Sequence, residues 1–163
     1  ALCVAVPAAT TAPAPTPTLT RTSLGKITLG MSVAQATRAS GIRFTVGDPS
    51  NPYCRYARAT DRRLGVWLML TRRGQVARFD VSRPAVTTST TVGVGSTEAA
   101  VVIAYPKAIT RPHKYVRRGH EIWVGARPGA RSGAALVFET DGKRVTHVRA
   151  GKLPQVGYVE GCS

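Results

Sequence analysis

Three histidines (His113, His120, His147), three cysteines (Cys3, Cys54, Cys162) and eight acidic residues carry most of the reactive chemistry in this 163-residue sequence. Acyl transfer needs a nucleophile, a base and an acid that orients the base. Serines are plentiful, but no Gly-x-Ser-x-Gly elbow occurs. Cys54 beside a histidine would make a thiol enzyme, although a disulfide is the preferred reading of that cysteine. Glycoside hydrolysis needs paired carboxylates, and the acids here are scattered. No phosphate loop, dinucleotide fingerprint or zinc spacing is present, and His113 and His120 fall in an expected loop and strand. The sequence therefore predicts a non-enzymatic protein without metal or cofactor.

Binding chemistry is better represented. Lys and Arg total 23 against 8 Asp and Glu, a formal net charge of +15. Codon bias can explain the preference for Arg over Lys, but not the shortage of acids. A field of this sign favours anionic partners: cell-envelope polymers, acidic protein faces and, least expected of the three, nucleic acid. Apolar residues make up 43% and charged residues 19%, which excludes collagen, coiled coil and wholesale disorder. No apolar run approaches the roughly 18–20 residues of a membrane span.

Strand alternation gathers the binding types. In 66–71, Val66, Leu68 and Leu70 share one face and leave Trp67 and Met69 on the other. The same reasoning turns Tyr56, Arg58, Arg78, Trp123, His147 and Arg149 away from the core, the types enriched at binding hot spots. The opposite reading makes each Trp a core residue, since Trp is usually well buried. His113, Lys114, Tyr115, Arg117 and Arg118 form a basic, aromatic stretch, either a secondary contact loop or a solvated loop pinned by Tyr115.

Two stretches share an order of features that suggests duplication. Leu29-Gly30-Met31-Ser32 aligns with Val92-Gly93-Val94-Gly95, Leu68 to Gly74 with Leu136 to Gly142, and Val76 to Phe79 with Val145 to Val148. Ser32 and Gln35 form a capping box, with Gly95 and Glu98 in the corresponding places, which predicts short helices over 32–40 and 96–105. Strands are expected at 54–60, 66–71, 75–82, 120–126, 135–140, 144–150 and 156–160, with Asp141-Gly142 marking a hairpin. The expectation is an α+β protein in which two tandem helix-plus-antiparallel-meander units, 21–84 and 85–163, form one curved sheet with the short helices on one face.

Residues 1–20 carry no charge and contain four Pro, and read as a signal-peptide remnant followed by a stiff linker outside the fold. Cys3 is either removed with that leader or lipidated. In an exported protein, Cys54 and Cys162 would pair, closing a loop of about 108 residues for roughly 4–5 kcal/mol in the chain-entropy model.

The Leu-Gly-Met-Ser start, short helix and meander, present twice over about 21–162, resemble the β-lactamase inhibitor protein family. They also resemble the small outer-membrane assembly lipoproteins, which carry one such unit. The C-terminal Tyr-Val-Glu-Gly-Cys is similar to that of exported actinobacterial proteins. The resemblance implies joined sheets and protein binding on the helix-free face, without carrying over the β-lactamase target. The sequence thus predicts a secreted or envelope-associated module that binds an unidentified protein through Tyr56, Arg58, Trp67, Met69, Arg78, Trp123, His147 and Arg149. The alternative is electrostatic binding to an anionic envelope polymer or lipid head groups.

Overall fold

A computed structural model describes residues 16–48 and 54–162. The N-terminal half contains β1 (Thr18–Leu19), β2 (Ser23–Leu24), β3 (Ile27–Thr28), α1 (Val33–Ser40), β4 (Phe44–Val46), β5 (Cys54–Ala59), β6 (Val66–Thr71) and β7 (Val76–Val81). The remainder contains β8 (Thr87–Thr88), α2 (Glu98–Ala104), β9 (Ile109–Pro112), β10 (His120–Gly125), β11 (Ala134–Thr140) and β12 (Val145–Lys152). A 3-10 turn at Gln155–Gly157 follows, where a strand over 156–160 was expected.

The α+β expectation does not hold. The protein is mostly β, built on an eight-stranded antiparallel sheet in the order β4-β5-β6-β7-β12-β11-β10-β9 and a mixed four-stranded sheet in the order β3-β2-β1-β8. The helices are only eight and seven residues long, and each buries a single residue, Ala36 and Val101. Three short strands ahead of α1 and one between the helices form the small sheet, so the pattern is not a helix-plus-meander repeat. Thr18–Leu19 pairs antiparallel with β2 and in parallel with Thr87–Thr88, across the expected boundary at 84.

Local rules explain where the helices begin and end. Gln35 N–H donates to Ser32 Oγ at 3.3 Å, and Ser32 N–H donates to Gln35 Oε1 at 2.8 Å, the expected capping box. Gly41 ends α1 at φ 76°, a left-handed cap that suits glycine. For α2 the cap is Thr97, not Gly95: its Oγ1 accepts from Ala100 N–H at 3.1 Å. Glu98 is consequently free to reach His120 and Thr140 in the sheet.

The main core lies between the large sheet and the layer of helices and small sheet. Leu68, Phe79, Phe138 and Ile122 from the large sheet meet Ala36, Val101, Leu24 and Ile27. Residues 1–20 were expected to stand outside the fold; Thr18–Leu19 is a strand, and Leu19 is 2% exposed in this core. The signal-peptide reading and Cys3 fall outside the described residues. Leu19→Ala should cost about 2–5 kcal/mol in chemical denaturation, as other buried leucines do.

Candidate functional site

Cross-strand register decides which residues share the second face of the large sheet. One row runs Thr45, Arg58, Trp67, Asp80, Arg149, Val137, Trp123 and Ile109 across all eight strands. A second contains Tyr56, Met69, Arg78, Gly151 and Ala135. A third contains His147, Glu139, Glu121 and Arg111. The eight residues singled out from alternation therefore do lie on one face.

That face is largely covered. Arg58 is exposed and Trp67 is 37% exposed, whereas Trp123 is 2% exposed and Met69, Arg78 and Arg149 are buried. Tyr56 and His147 are half-buried. The cover is the chain's own C-terminal segment. Val156 and Leu153 pack with Trp123, Ala135 and Val137 in a second apolar cluster. Arg78 Nη1 donates to the carbonyls of Gln155 at 3.0 Å and Tyr158 at 2.6 Å, holding the segment down. The expected disulfide joins Cys54 to Cys162, with Cα atoms 5.6 Å apart, and fixes its far end.

The stretch 113–118 folds over from the opposite end. His113 Nδ1 accepts from the N–H groups of Tyr115 and Val116 at 3.0 and 3.2 Å, which leaves the proton on Nε2, 3.4 Å from Glu139 Oε2. Tyr115 O–H donates to Glu160, and Lys114 Nζ meets the same carboxylate at 2.9 Å. Tyr115 thus ties this loop to the C-terminal segment, while Arg117 and Arg118 stay exposed.

Under these two covers lies a network of balanced charge. Arg149 Nη2 donates to Glu121 Oε1 at 2.6 Å, and its Nε lies 2.9 Å from Glu139 Oε1, off the N–H axis. Glu121 Oε2 also accepts from Arg111 Nε at 2.6 Å and Trp123 Nε1 at 3.2 Å. Asp80 pairs with Arg78, whose Nε donates at 2.8 Å, and with His147 Nε2 at 3.0 Å. Burial alone would raise the Asp80 pKa; the His147 hydrogen bond and the Arg78 charge outweigh it and hold the carboxyl below its ordinary value. Glu121 is likewise lowered, with Arg149 foremost against burial. Burial, aided by the Asp80 charge, pushes the Tyr56 hydroxyl up to about 12.

Alternation identified most of this face but not its cover. Glu139, Arg111 and the C-terminal segment were missed. A signal existed in β11, where Ala135 and Val137 are apolar on the same face as Glu139, a sign that both faces are covered. Among the described residues, no three His, Cys, Asp or Glu are grouped to hold a metal ion.

No protein-family model and no curated protein matches the sequence. Two solved structures share the fold. The uncharacterized protein yfeY from Escherichia coli is 11% identical with a TM-score of 0.54, covering 82% of this chain and 99% of its own. An extracellular protein containing a SCP domain from Bacillus anthracis is 10% identical with a TM-score of 0.50; the match covers 74% of this chain and 43% of that one. At these identities the likeness is one of fold alone.

The network yields two expectations. Arg149→Ala removes a fully buried cation from Glu121 and Glu139, leaving Glu121 to Arg111 and Trp123 and Glu139 to His113, and should cost about 3–5 kcal/mol in chemical denaturation. Asp80 and Glu121, with folded pKa values lowered, contribute stability above about pH 4 that is lost as pH falls through those values. Denaturant midpoints recorded from pH 7 to pH 2 should fall on the acid side, and Asp80→Asn should flatten that limb.

Proposed function

We propose that the protein is an exported, non-enzymatic module that binds an anionic cell-envelope polymer through its surface cations. The observation that carries this reading is the fate of the acids. Asp61, Asp80, Glu121, Glu139 and Glu160 are held in ion pairs with arginine or lysine, Glu98 is hydrogen-bonded to His120 and Thr140, and Asp141 accepts from the backbone of Lys143 and Arg144. Little negative charge remains to offset the exposed arginines and lysines. Arg117 and Arg118 sit beside Lys143 and Arg144, because the two turns touch: a Cβ on Gly142 would fall 2.3 Å from the Arg118 carbonyl oxygen. A repeating anion could span these four cations. The Cys54–Cys162 disulfide supports an oxidising location, and the B. anthracis protein of shared fold is extracellular.

A second reading, a protein partner, is favoured by the uncovered corner of the sheet. Trp67 has the Arg58 guanidinium 5.6 Å from its ring centroid and Tyr56 edge-on at 5.9 Å. An exposed Trp so held is a fitting anchor for an interface.

Salt separates the two. Binding to poly(glycerol phosphate) should weaken by about tenfold or more as salt rises from about 50 to 300 mM, with screening. Arg117→Ala with Arg118→Ala should weaken it further, at unchanged thermal midpoint. Absence of polymer binding, or binding indifferent to salt and to these changes, would overturn the electrostatic reading. Salt-resistant capture of an envelope protein, lost in Trp67→Ala, would establish the second.

A further inference from the structure

We infer that a cleft on the helix side of the large sheet binds an anionic amphiphile, a single acyl chain with a phosphate head. The cleft measures about 810 Å³ and lies between the small sheet, the end of α1 and the β5–β6 turn. Its apolar lining comes from four separate stretches of chain: Pro17, Ala39 with Ile42, Leu64, and Ala85. Ile42 and Leu64 pack on the main core, so the floor is anchored in the fold. A volume in the range of about 300–1,000 Å³ with mostly apolar walls is typical of small-molecule sites.

Arginines flank one side of the cleft. A second hollow of about 600 Å³, lined by Arg62, Arg63, Arg83, Pro84 and Ala85, adjoins the cleft, and Arg63 and Ala85 line both. Lys26 lies on the cleft wall. The acid lining the cleft, Asp61, is already neutralised. Arg63 donates to it through Nε and Nη2 at 3.0 Å each, and the Arg63 backbone N–H adds a third bond at 3.0 Å. Lys26, Arg62 and Arg83 form no ion pair with an acid among the described residues. The result is an apolar trough opening onto uncompensated cations.

That juxtaposition selects for both halves of an amphiphile. A bare polyanion would satisfy the arginines but leave the trough in water. A neutral amphiphile would fill the trough but leave the cations without a partner. A long-chain phosphate monoester does both, with its chain against Ile42 and Leu64 and its head at Arg62 and Arg83. The site shares no residue with the turns that carry the polymer reading, so either can fail without the other.

The test uses the full chain and three probes below their micelle concentrations: dodecyl phosphate, dodecyl maltoside and inorganic phosphate. By isothermal titration, dodecyl phosphate should bind at least about tenfold more tightly than either of the others. Ala85→Trp and, independently, Ala39→Leu fill the trough. At least one should keep the thermal midpoint and poly(glycerol phosphate) binding while losing about tenfold or more in dodecyl phosphate affinity. Arg62→Ala with Arg83→Ala should reduce dodecyl phosphate affinity and leave dodecyl maltoside unchanged. Dodecyl phosphate binding no tighter than inorganic phosphate, or unaffected by folded variants that fill the trough, would overturn the assignment.

Discussion

Arg149 is the charge around which the second face of the sheet is organised. Fully buried on β12, beside the junction of β7 and β12, it must be compensated, and Glu139 on adjacent β11 and Glu121 on β10 beyond it do so. Each carboxylate then recruits a further cationic or polar group: Arg111 and Trp123 at Glu121, His113 at Glu139. Across the junction, Asp80 and Arg78 repeat the arrangement, and Arg78 spends its remaining nitrogen on carbonyls of the C-terminal segment. Buried ion pairs of this kind do little for net stability, because desolvation cancels much of the attraction. Their effect is on arrangement, since a different strand order would separate charges that low polarity forbids to stand alone.

Covering that face has a cost in recognition surface. The row of residues from Arg58 to Trp123 would be an open platform in a sheet with a bare second face. Here the chain's own segment 153–162 and the loop 113–118 occupy most of it, leaving only the corner at Trp67 and Arg58. The same internal pairing takes Asp80, Glu121 and most of Glu139 out of solvent, so exposed arginines and lysines outnumber the acids left at the surface. Core electrostatics and surface electrostatics are therefore one property: each carboxylate used inside is one fewer outside.

The sequence made the central strands legible because their alternation is strict. Val66-Trp67-Leu68-Met69-Leu70 divides into two faces without ambiguity, and Asp141-Gly142 marks the hairpin of β11 and β12. Capping residues located α1 to within one residue. What was not legible were the two-residue strands of the small sheet, too short for any period, and the pairing of Thr18–Leu19 with Thr87–Thr88, which joins stretches about seventy residues apart. Composition made residues 16–20 look like linker, yet one leucine among threonines and prolines sufficed to seat them in the core. For the site, alternation named the face but said nothing of what lies above it. Alternation reads strands, and the cover is a turn and a loop.

The bridge between Cys54 and Cys162 also changes what a protease can do. Its sequence separation of 108 turns two thirds of the chain into a covalent ring that contains β5 to β12. A single cut in any exposed turn of that ring, such as Arg72-Arg73 or Arg117-Arg118, opens the ring without releasing a piece. The nicked molecule keeps all its residues and gains only the water of hydrolysis, and its pieces separate only after reduction. In surroundings rich in trypsin-like enzymes, a protein whose exposed turns are dense in arginine would thus shed nothing when the first cleavage falls within the ring.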